Sequence, residues 1–127
     1  MKEFMLLIRN TEDAKTALSN EQHQEFLNGC KVFIERLERE EKLISAQPLI
    51  REGKMISGTP GAWTEGPYKE GNEIIVGYYH ILAKDMNDAI EIAKDNPEFA
   101  FSATARIEVR PIKMKEETTG FVYPKTV

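Results

Sequence analysis

The chain contains a single cysteine, Cys30, and this scarcity excludes two kinds of site. One thiol can form neither an internal disulfide framework nor a zinc site built from several thiolates. Cys30 lies at helical spacing with Phe26, Phe33 and Leu37, and a lone cysteine on such an apolar face is usually a small buried hydrophobic residue. We therefore favour a structural thiol over a catalytic one.

Histidine is almost as scarce, since only His23 and His80 are present. Neither belongs to a cluster of acidic residues or histidines at the spacing of metal ligands. The sequence therefore predicts no metal site, and nothing in it indicates an organic cofactor.

Positive charge and long apolar runs are also in short supply. The 17 lysines and arginines are scattered among 21 acidic residues, and the net charge is -4. This balance counts against a nucleic acid or an anionic membrane as partner. The apolar run near the amino terminus has only about five residues, too few for a signal-peptide core or a membrane span. A cytoplasmic location is expected.

The remaining composition is that of an ordinary globular domain. The 127 residues are 41% hydrophobic and 30% charged, which suits one domain with its own core. We place that domain at residues 1–112 and a polar tail at residues 113–127. The tail either folds over a partner subunit, pairs with a strand edge or frays.

Local signals predict two long helices. The S-x-x-Q pattern that begins at Ser19 is a capping box and starts a helix over about residues 20–41. Apolar residues recur along it every three or four positions, so the helix buries one stripe. Asp85 caps a second helix, which ends at the pair Asn96-Pro97.

Outside the helices, apolar segments predict strands at residues 4–8, 43–50, 54–57, 73–82 and 105–109. We expect residues 51–53 to form a tight turn that pairs segment 43–50 with segment 54–57. The order of elements is that of a ferredoxin-like α+β fold, an antiparallel sheet with two helices on one face.

Segment 73–82 is apolar on both alternating faces. Ile75, Tyr79 and Ile81 are predicted to share one face, and Ile74 and Val76 to lie on the other. Helices on one side of the sheet leave the second face uncovered, and another subunit covers it most economically. We therefore expect a homodimer joined through its sheet faces.

Residues 58–72 contain half of all the glycines together with two prolines, which predicts a shaped loop. Trp63 and Tyr68 argue against disorder, because large rings normally pack on something. A loop of this length is often functional. The alternative is that the two rings merely pin a hairpin connection to the domain.

Four segments are spread over about residues 1–112: MKEFMLLIRN, TEGPYKE with IIVGYY, DMNDAIEIAKDNP and IEVRPI. Together they resemble the YCII-related proteins, in particular the branch known for its DGPF motif. The resemblance implies a dimeric α+β barrel whose subunits pair sheet to sheet. One branch of the family includes a dehalogenating enzyme for chlorinated aromatic compounds, and some members are labelled transcription initiation proteins. Where the motif reads Asp-Gly-Pro-Phe, this chain has Glu65-Gly66-Pro67-Tyr68.

Three residues are candidates for proton transfer. His23 lies in the first turn of the first helix, where YCII relatives carry a histidine proposed to act with an aspartate. Imidazole titrates near neutral pH, which suits a general base. Glu65 and Tyr68 add a carboxylate and a phenol in the glycine-rich loop. The alternatives are a solvated histidine on the helix surface and a glutamate that caps a turn.

Further residues are candidates for binding a small molecule. Arg9 and Arg110 end strands that are neighbours in this fold, and they either bind an anionic group or pair with Glu108. Trp63 and Tyr79 are expected to contact the ligand.

The first functional hypothesis is a homodimer that binds or transforms a small molecule by acid–base chemistry. The second is a non-catalytic binding or regulatory module, and a role in transcription is a third. Convergence of His23 or Arg9 with Glu65 and Tyr68 in one cavity would favour the first hypothesis.

Overall fold

The computed structural model describes residues 1–69 and 71–124. Along the chain, its elements are β1 (Lys2–Thr11), α1 (Asn20–Arg39), β2 (Leu43–Pro48), β3 (Lys54–Thr59), β4 (Ala62–Pro67), β5 (Glu73–Ala83), α2 (Met86–Lys94), α3 (Glu98–Phe101) and β6 (Arg106–Pro111).

Four of the strands form one antiparallel sheet in the order β2-β5-β1-β6, and β3 with β4 forms a separate hairpin. The two long helices pack on one face of the sheet, so the predicted ferredoxin-like α+β fold is confirmed. Leu6, Leu37 and Ile81 are fully buried between the layers. The ring of Phe33 meets the ring of Tyr79 edge to face, at 5.5 Å between centroids.

The predicted capping box starts α1. Ser19 Oγ accepts a hydrogen bond from the Gln22 backbone N–H (3.1 Å), and Gln22 Oε1 accepts one from the Ser19 N–H (2.9 Å). Two otherwise unpaired amides at the helix start are thereby satisfied. The helix ends at Arg39, two residues before the predicted end, because Glu41 adopts a left-handed conformation with φ 57.

The predicted loop at residues 58–72 is instead largely strand, since β4 pairs with β3 as a hairpin. Its tight turn is at Pro60 and Gly61, where the glycine has φ 85. Gly58 also has positive φ, and a Cβ atom there would lie 2.2 Å from the Ala62 carbonyl oxygen. The glycines therefore shape a hairpin rather than a long loop.

The predicted pairing of segment 43–50 with segment 54–57 is wrong. β2 pairs with β5, and β3 lies outside the main sheet. The physical reason is burial, because Leu43 and Ala46 of β2 pack against the core, whereas β3 is exposed throughout. A strand with core-facing apolar residues gains more from the sheet edge than from a solvent-exposed hairpin.

A β-bulge in β5 changes which residues face the helices. Ile8 pairs with Gly77 and Arg9 with Ile75, so Val76 is the extra residue. As a result Ile74 is buried at 4% exposure, and Val76 packs against the core. The predicted alternation, with Ile75 beside Tyr79, is therefore wrong at this point of the strand.

The second face of the sheet carries a row of half-buried side chains. Because the inward residues of β1 are buried in strict alternation, the others lie on the opposite face. The row consists of Met5, Leu7, Tyr78, His80 and Leu82. The row mixes aliphatic, aromatic and polar groups, and the covering of this face by a second subunit stays a prediction.

Residues 113–124 fold back on themselves. A bridge joins Lys115 to Val122, and the Tyr123 N–H donates to the Met114 carbonyl (3.0 Å). Of the three alternatives for the tail, none anticipated this self-pairing; residues 125–127 lie outside the described part of the chain. None of the described helices is both long enough and apolar enough to cross a membrane.

Candidate functional site

A cavity of about 490 Å³ lies at the end of the sheet, between the end of β1, the first turns of α1, the segment after β2 and α3. Its walls are mostly apolar, and six polar residues interrupt them. The polar residues are Asn10, Lys15, His23, Arg51, Glu98 and Ser102. A volume of this size suits one small organic molecule.

Asn10 organises the polar end of the cavity. Its side chain is fully buried, and Nδ2 donates to Glu98 Oε1 (2.9 Å) and to Ser102 Oγ (3.2 Å). Its Oδ1 accepts from the Thr11 N–H (2.8 Å) and from Thr104 Oγ1 (2.7 Å). These bonds tie α3 and the residues after it to the end of β1, so a buried amide holds Glu98 in the wall.

Neither Asn10 nor Glu98 is among the site residues predicted from the sequence. Asn10 lies beyond the strand predicted at residues 4–8, but it continues the inward alternation Phe4, Leu6, Ile8 of β1. That periodicity was the available signal. Glu98 had no such signal, because the four-residue helix that carries it is too short for a periodic pattern.

His23 lines the cavity from the first turn of α1, where its backbone N–H donates to the Ser19 carbonyl (2.9 Å). Its Nδ1 is buried and has no hydrogen-bond partner among the described residues. Its ring is 6.5 Å from that of Phe26, which in turn packs edge to face on Phe101 of α3 at 5.7 Å. The aromatic contacts therefore join α1 to α3 beside an unpaired imidazole nitrogen.

The arrangement can support proton transfer. Imidazole is a group that both accepts and donates protons near neutral pH. Glu98 is the carboxylate in the lining and brings a second acceptor to the same space. In the described part of the chain, no group of three or more histidine, cysteine, aspartate or glutamate residues could hold a metal ion.

Comparison with protein families matches the YCII-related domain to residues 2–113. The chain belongs to the YCII-related family. Its four-stranded antiparallel sheet with two long helices is consistent with the dimeric α+β barrel of that family. The search among curated proteins found no significant match.

The hairpin places the other predicted catalytic residues of this YCII-related protein outside the cavity lining. Glu65 is exposed on β4 and pairs with Lys54 (Oε1 to Nζ, 3.5 Å). Trp63 is 62% exposed. Tyr68 packs beside Gly53, and its hydroxyl is buried with no hydrogen-bond partner among the described residues. Of the residues whose convergence in one cavity would favour the first hypothesis, the lining includes His23 and leaves Arg9, Glu65 and Tyr68 outside.

The two predicted arginines meet at a glutamate on the second face of the sheet. Arg9 Nε donates to Glu108 Oε1 (3.0 Å), and Arg110 Nη1 donates to Glu108 Oε2 (2.9 Å). The bond from Arg110, and secondly the bond from Arg9, lower the pKa of Glu108 below its usual value. The pairing alternative is thus the one observed. Tyr79 lies in the core, where burial raises its pKa.

We expect Cys30 to react slowly with thiol reagents. Burial, and secondarily the charge of Glu98, raise its pKa to about 11, so little thiolate exists at pH 8. With Ellman's reagent, the native protein should react far more slowly than the urea-unfolded protein, and its rate should increase as the pH approaches the raised pKa. Equal rates for native and unfolded protein at pH 8 would contradict the structural assignment.

Proposed function

We propose that this YCII-related protein binds a small organic molecule in the cavity and transforms it by acid–base chemistry without a metal ion. The supporting observation is the buried Nδ1 of His23, which lines a mostly apolar cavity and has no hydrogen-bond partner in the described part of the chain. An unsatisfied buried nitrogen costs folding free energy of about 1–3 kcal/mol unless something pairs with it. A bound ligand would supply that partner.

His23 then acts as the proton-transfer group. A ligand O–H or C–H placed at Nδ1 gives its proton to the imidazole, and the same nitrogen returns a proton at a later step. The resemblance to relatives implies a carboxylate partner for this histidine. Glu98 is the carboxylate in the same lining, and Asn10 orients it.

We further propose that the chain is a homodimer joined through the second face of the sheet, and that it belongs to the DGPF branch of the family. The half-buried row on that face supports the first statement. The Glu65-Gly66-Pro67-Tyr68 sequence and its surrounding segments support the second. Catalytic roles for Glu65 and Tyr68 would require a second subunit to bring the hairpin to a cavity.

The alternative is a non-catalytic binding or regulatory module. Glu65 forms an ion pair with Lys54, and Arg9 and Arg110 form ion pairs with Glu108. These pairs favour the alternative, because the paired groups are less available to bind or react with a ligand. The substitution His23→Gln separates the two. Loss of turnover by about 100-fold or more, with binding retained, is the expected result for general acid–base catalysis.

A ligand in the cavity should be visible at the imidazole of His23. We expect millimolar 4-fluorophenol, a small aromatic compound with an acidic hydroxyl, to shift the ring ¹⁵N resonances of His23 at constant pH. His80 is the internal control, since it lies on the second sheet face with Nε2 2.7 Å from Glu3 Oε1. The variants His23→Gln and His80→Gln assign the two rings.

The test has a clear negative result. If saturating 4-fluorophenol leaves the His23 resonances unchanged, or shifts only those of His80, the assignment of the cavity as a ligand site with His23 as its acceptor is overturned. Blocking the cavity with Ala14→Trp should abolish the His23 shift, because Ala14 is part of the lining.

A further inference from the structure

We propose that the ligand of this cavity is a small carboxylic acid, with an apolar or aromatic body, whose carboxylate is bound by Arg51. This inference rests on the proposed function and names its ligand class. Neither Arg51 nor its neighbour in the cavity, Lys15, was among the residues singled out in the sequence.

Arg51 is held in place by the main chain. Its Nη1 donates to the carbonyl oxygens of Glu12 (2.8 Å) and Thr11 (3.3 Å), at the carboxyl end of β1. A guanidinium has five N–H donors, and Nη1 carries two of them. The three N–H groups on Nη2 and Nε have no partner within the described residues. The group is therefore oriented while most of its hydrogen-bonding capacity is unused.

No acidic side chain in the described ranges neutralises this guanidinium. Glu12, the nearest in sequence, contributes only its carbonyl, because its carboxylate pairs with Lys69. Glu98 lines the same cavity, but it accepts from Asn10 and forms no ion pair with Arg51. An arginine whose carboxylate neighbours are already engaged is available to an external anion.

Lys15 adds a second positive charge to the cavity. It is exposed and forms no ion pair among residues 1–69 and 71–124. The whole chain has a net charge of -4, so two cations at one cavity that lack an ion-pair partner in the described ranges are a local departure from its overall balance. Such a cavity favours an anionic ligand through charge complementarity.

The rest of the lining determines the body of the ligand. Leu18, Phe26, Val76 and Phe101 supply apolar walls. These walls favour an aliphatic or aromatic skeleton, because burial of its apolar surface is the driving force for binding. With its carboxylate at Arg51, that skeleton occupies the space that His23 also lines.

The test compares benzoate with benzamide, two probes of the same shape that differ in charge. In ¹H–¹⁵N NMR titrations of the full chain, we expect benzoate to bind at least tenfold more tightly than benzamide. Arg51→Gln should reduce benzoate affinity to the level of benzamide and leave benzamide affinity unchanged. Arg39→Gln, in the exposed last turn of α1, is the matched control and should change neither affinity.

Each other outcome identifies which statement fails. If both probes perturb the cavity amides equally and Arg51→Gln changes neither, the cavity is a ligand site but the carboxylate assignment is overturned. If Arg51→Gln weakens both probes equally, Arg51 only shapes the cavity through its carbonyl bonds, and the assignment is again overturned. If neither probe perturbs the cavity amides, the proposed function itself is contradicted.

Discussion

Replacing Leu7 by arginine is expected to convert a dimer into a monomer of 14.5 kDa. Leu7 lies in the middle of β1, where it pairs with Tyr78 of β5 on one side and Glu108 of β6 on the other. It faces away from the helices and is half-buried in the single chain. If the second sheet face joins two subunits, this position is near the centre of the interface.

The expected effect is large because an arginine at position 7 puts a desolvated charge at the interface centre, where the neighbouring carboxylate, Glu108, is already bonded to Arg9 and Arg110. An uncompensated charge of this kind costs about 3–5 kcal/mol, and in a symmetric dimer it occurs twice. That exceeds the stability margin of an ordinary interface at micromolar concentration. Size-exclusion chromatography with light scattering, at equal protein concentrations, measures the mass, and circular dichroism checks that the fold is retained.

Ile56→Arg is the matched control for this substitution. Ile56 is also aliphatic and lies on β3, 65% exposed on the hairpin. The arginine there should leave the dimer intact. The prediction fails if the wild-type chain already has the monomer mass. It also fails if Ile56→Arg dissociates the protein and Leu7→Arg does not, which would assign the interface to the hairpin.

The substitution Asn10→Asp is expected to destabilise the protein by about 3 kcal/mol at pH 7. The change removes the two donors that Nδ2 gives to Glu98 and Ser102. It also places a buried carboxylate against the carboxylate of Glu98. The loss of two buried hydrogen bonds and the new like-charge contact both destabilise the folded state.

This destabilisation should depend on pH. Burial and the neighbouring Glu98 favour the protonated form of a carboxyl at position 10, so the folded variant binds that proton more tightly than the unfolded chain does. Stability relative to the wild type is therefore recovered as the pH falls and lost as it rises. Urea unfolding at pH 5 and pH 7, at one fixed protein concentration, measures the difference.

Two further variants test the cause. Asn28→Asp makes the same chemical change at an exposed position of α1 and should alter stability by less than about 0.5 kcal/mol. Asn10→Asp combined with Glu98→Gln removes the like-charge contact and should regain part of the loss. Equal destabilisation by Asn10→Asp and Asn28→Asp would show that the Asn10 network does not support the cavity.

Several features of this protein were readable from local sequence. The start of α1 followed from Ser19 and Gln22, whose hydrogen bonds span three residues. Asp85 likewise caps α2 by accepting from the Asp88 N–H at 2.9 Å. The single thiol, His23 in the first helical turn and the two-faced apolar strand were also visible without the fold. Each depends on the identity and spacing of residues near one another in the chain.

Other features depended on residues far apart. The hydrogen bond from Asn10 to Glu98 joins positions 88 residues apart. The helix α3, which carries Glu98, is too short to be predicted from a periodic pattern. The bulge at Val76 is a matter of register between β1 and β5, so simple alternation along β5 placed Ile74 and Ile75 on the wrong faces. Local sequence patterns show neither which distant residues form a hydrogen bond nor the register between two strands.

By itself the sequence determined the α+β class, the order of the long elements and one proton-transfer candidate, because capping, helical periodicity and strand alternation are local interactions. Only the tertiary structure decided which polar groups share the cavity. His23, Glu98 and Arg51 come from three separate segments, and chain folding alone brings them to one cavity. The tertiary structure also places Glu65 and Tyr68 outside the cavity lining. Burial of Leu43 and Ala46 favours β2 in the main sheet, and β3 and β4 form a hairpin outside that sheet.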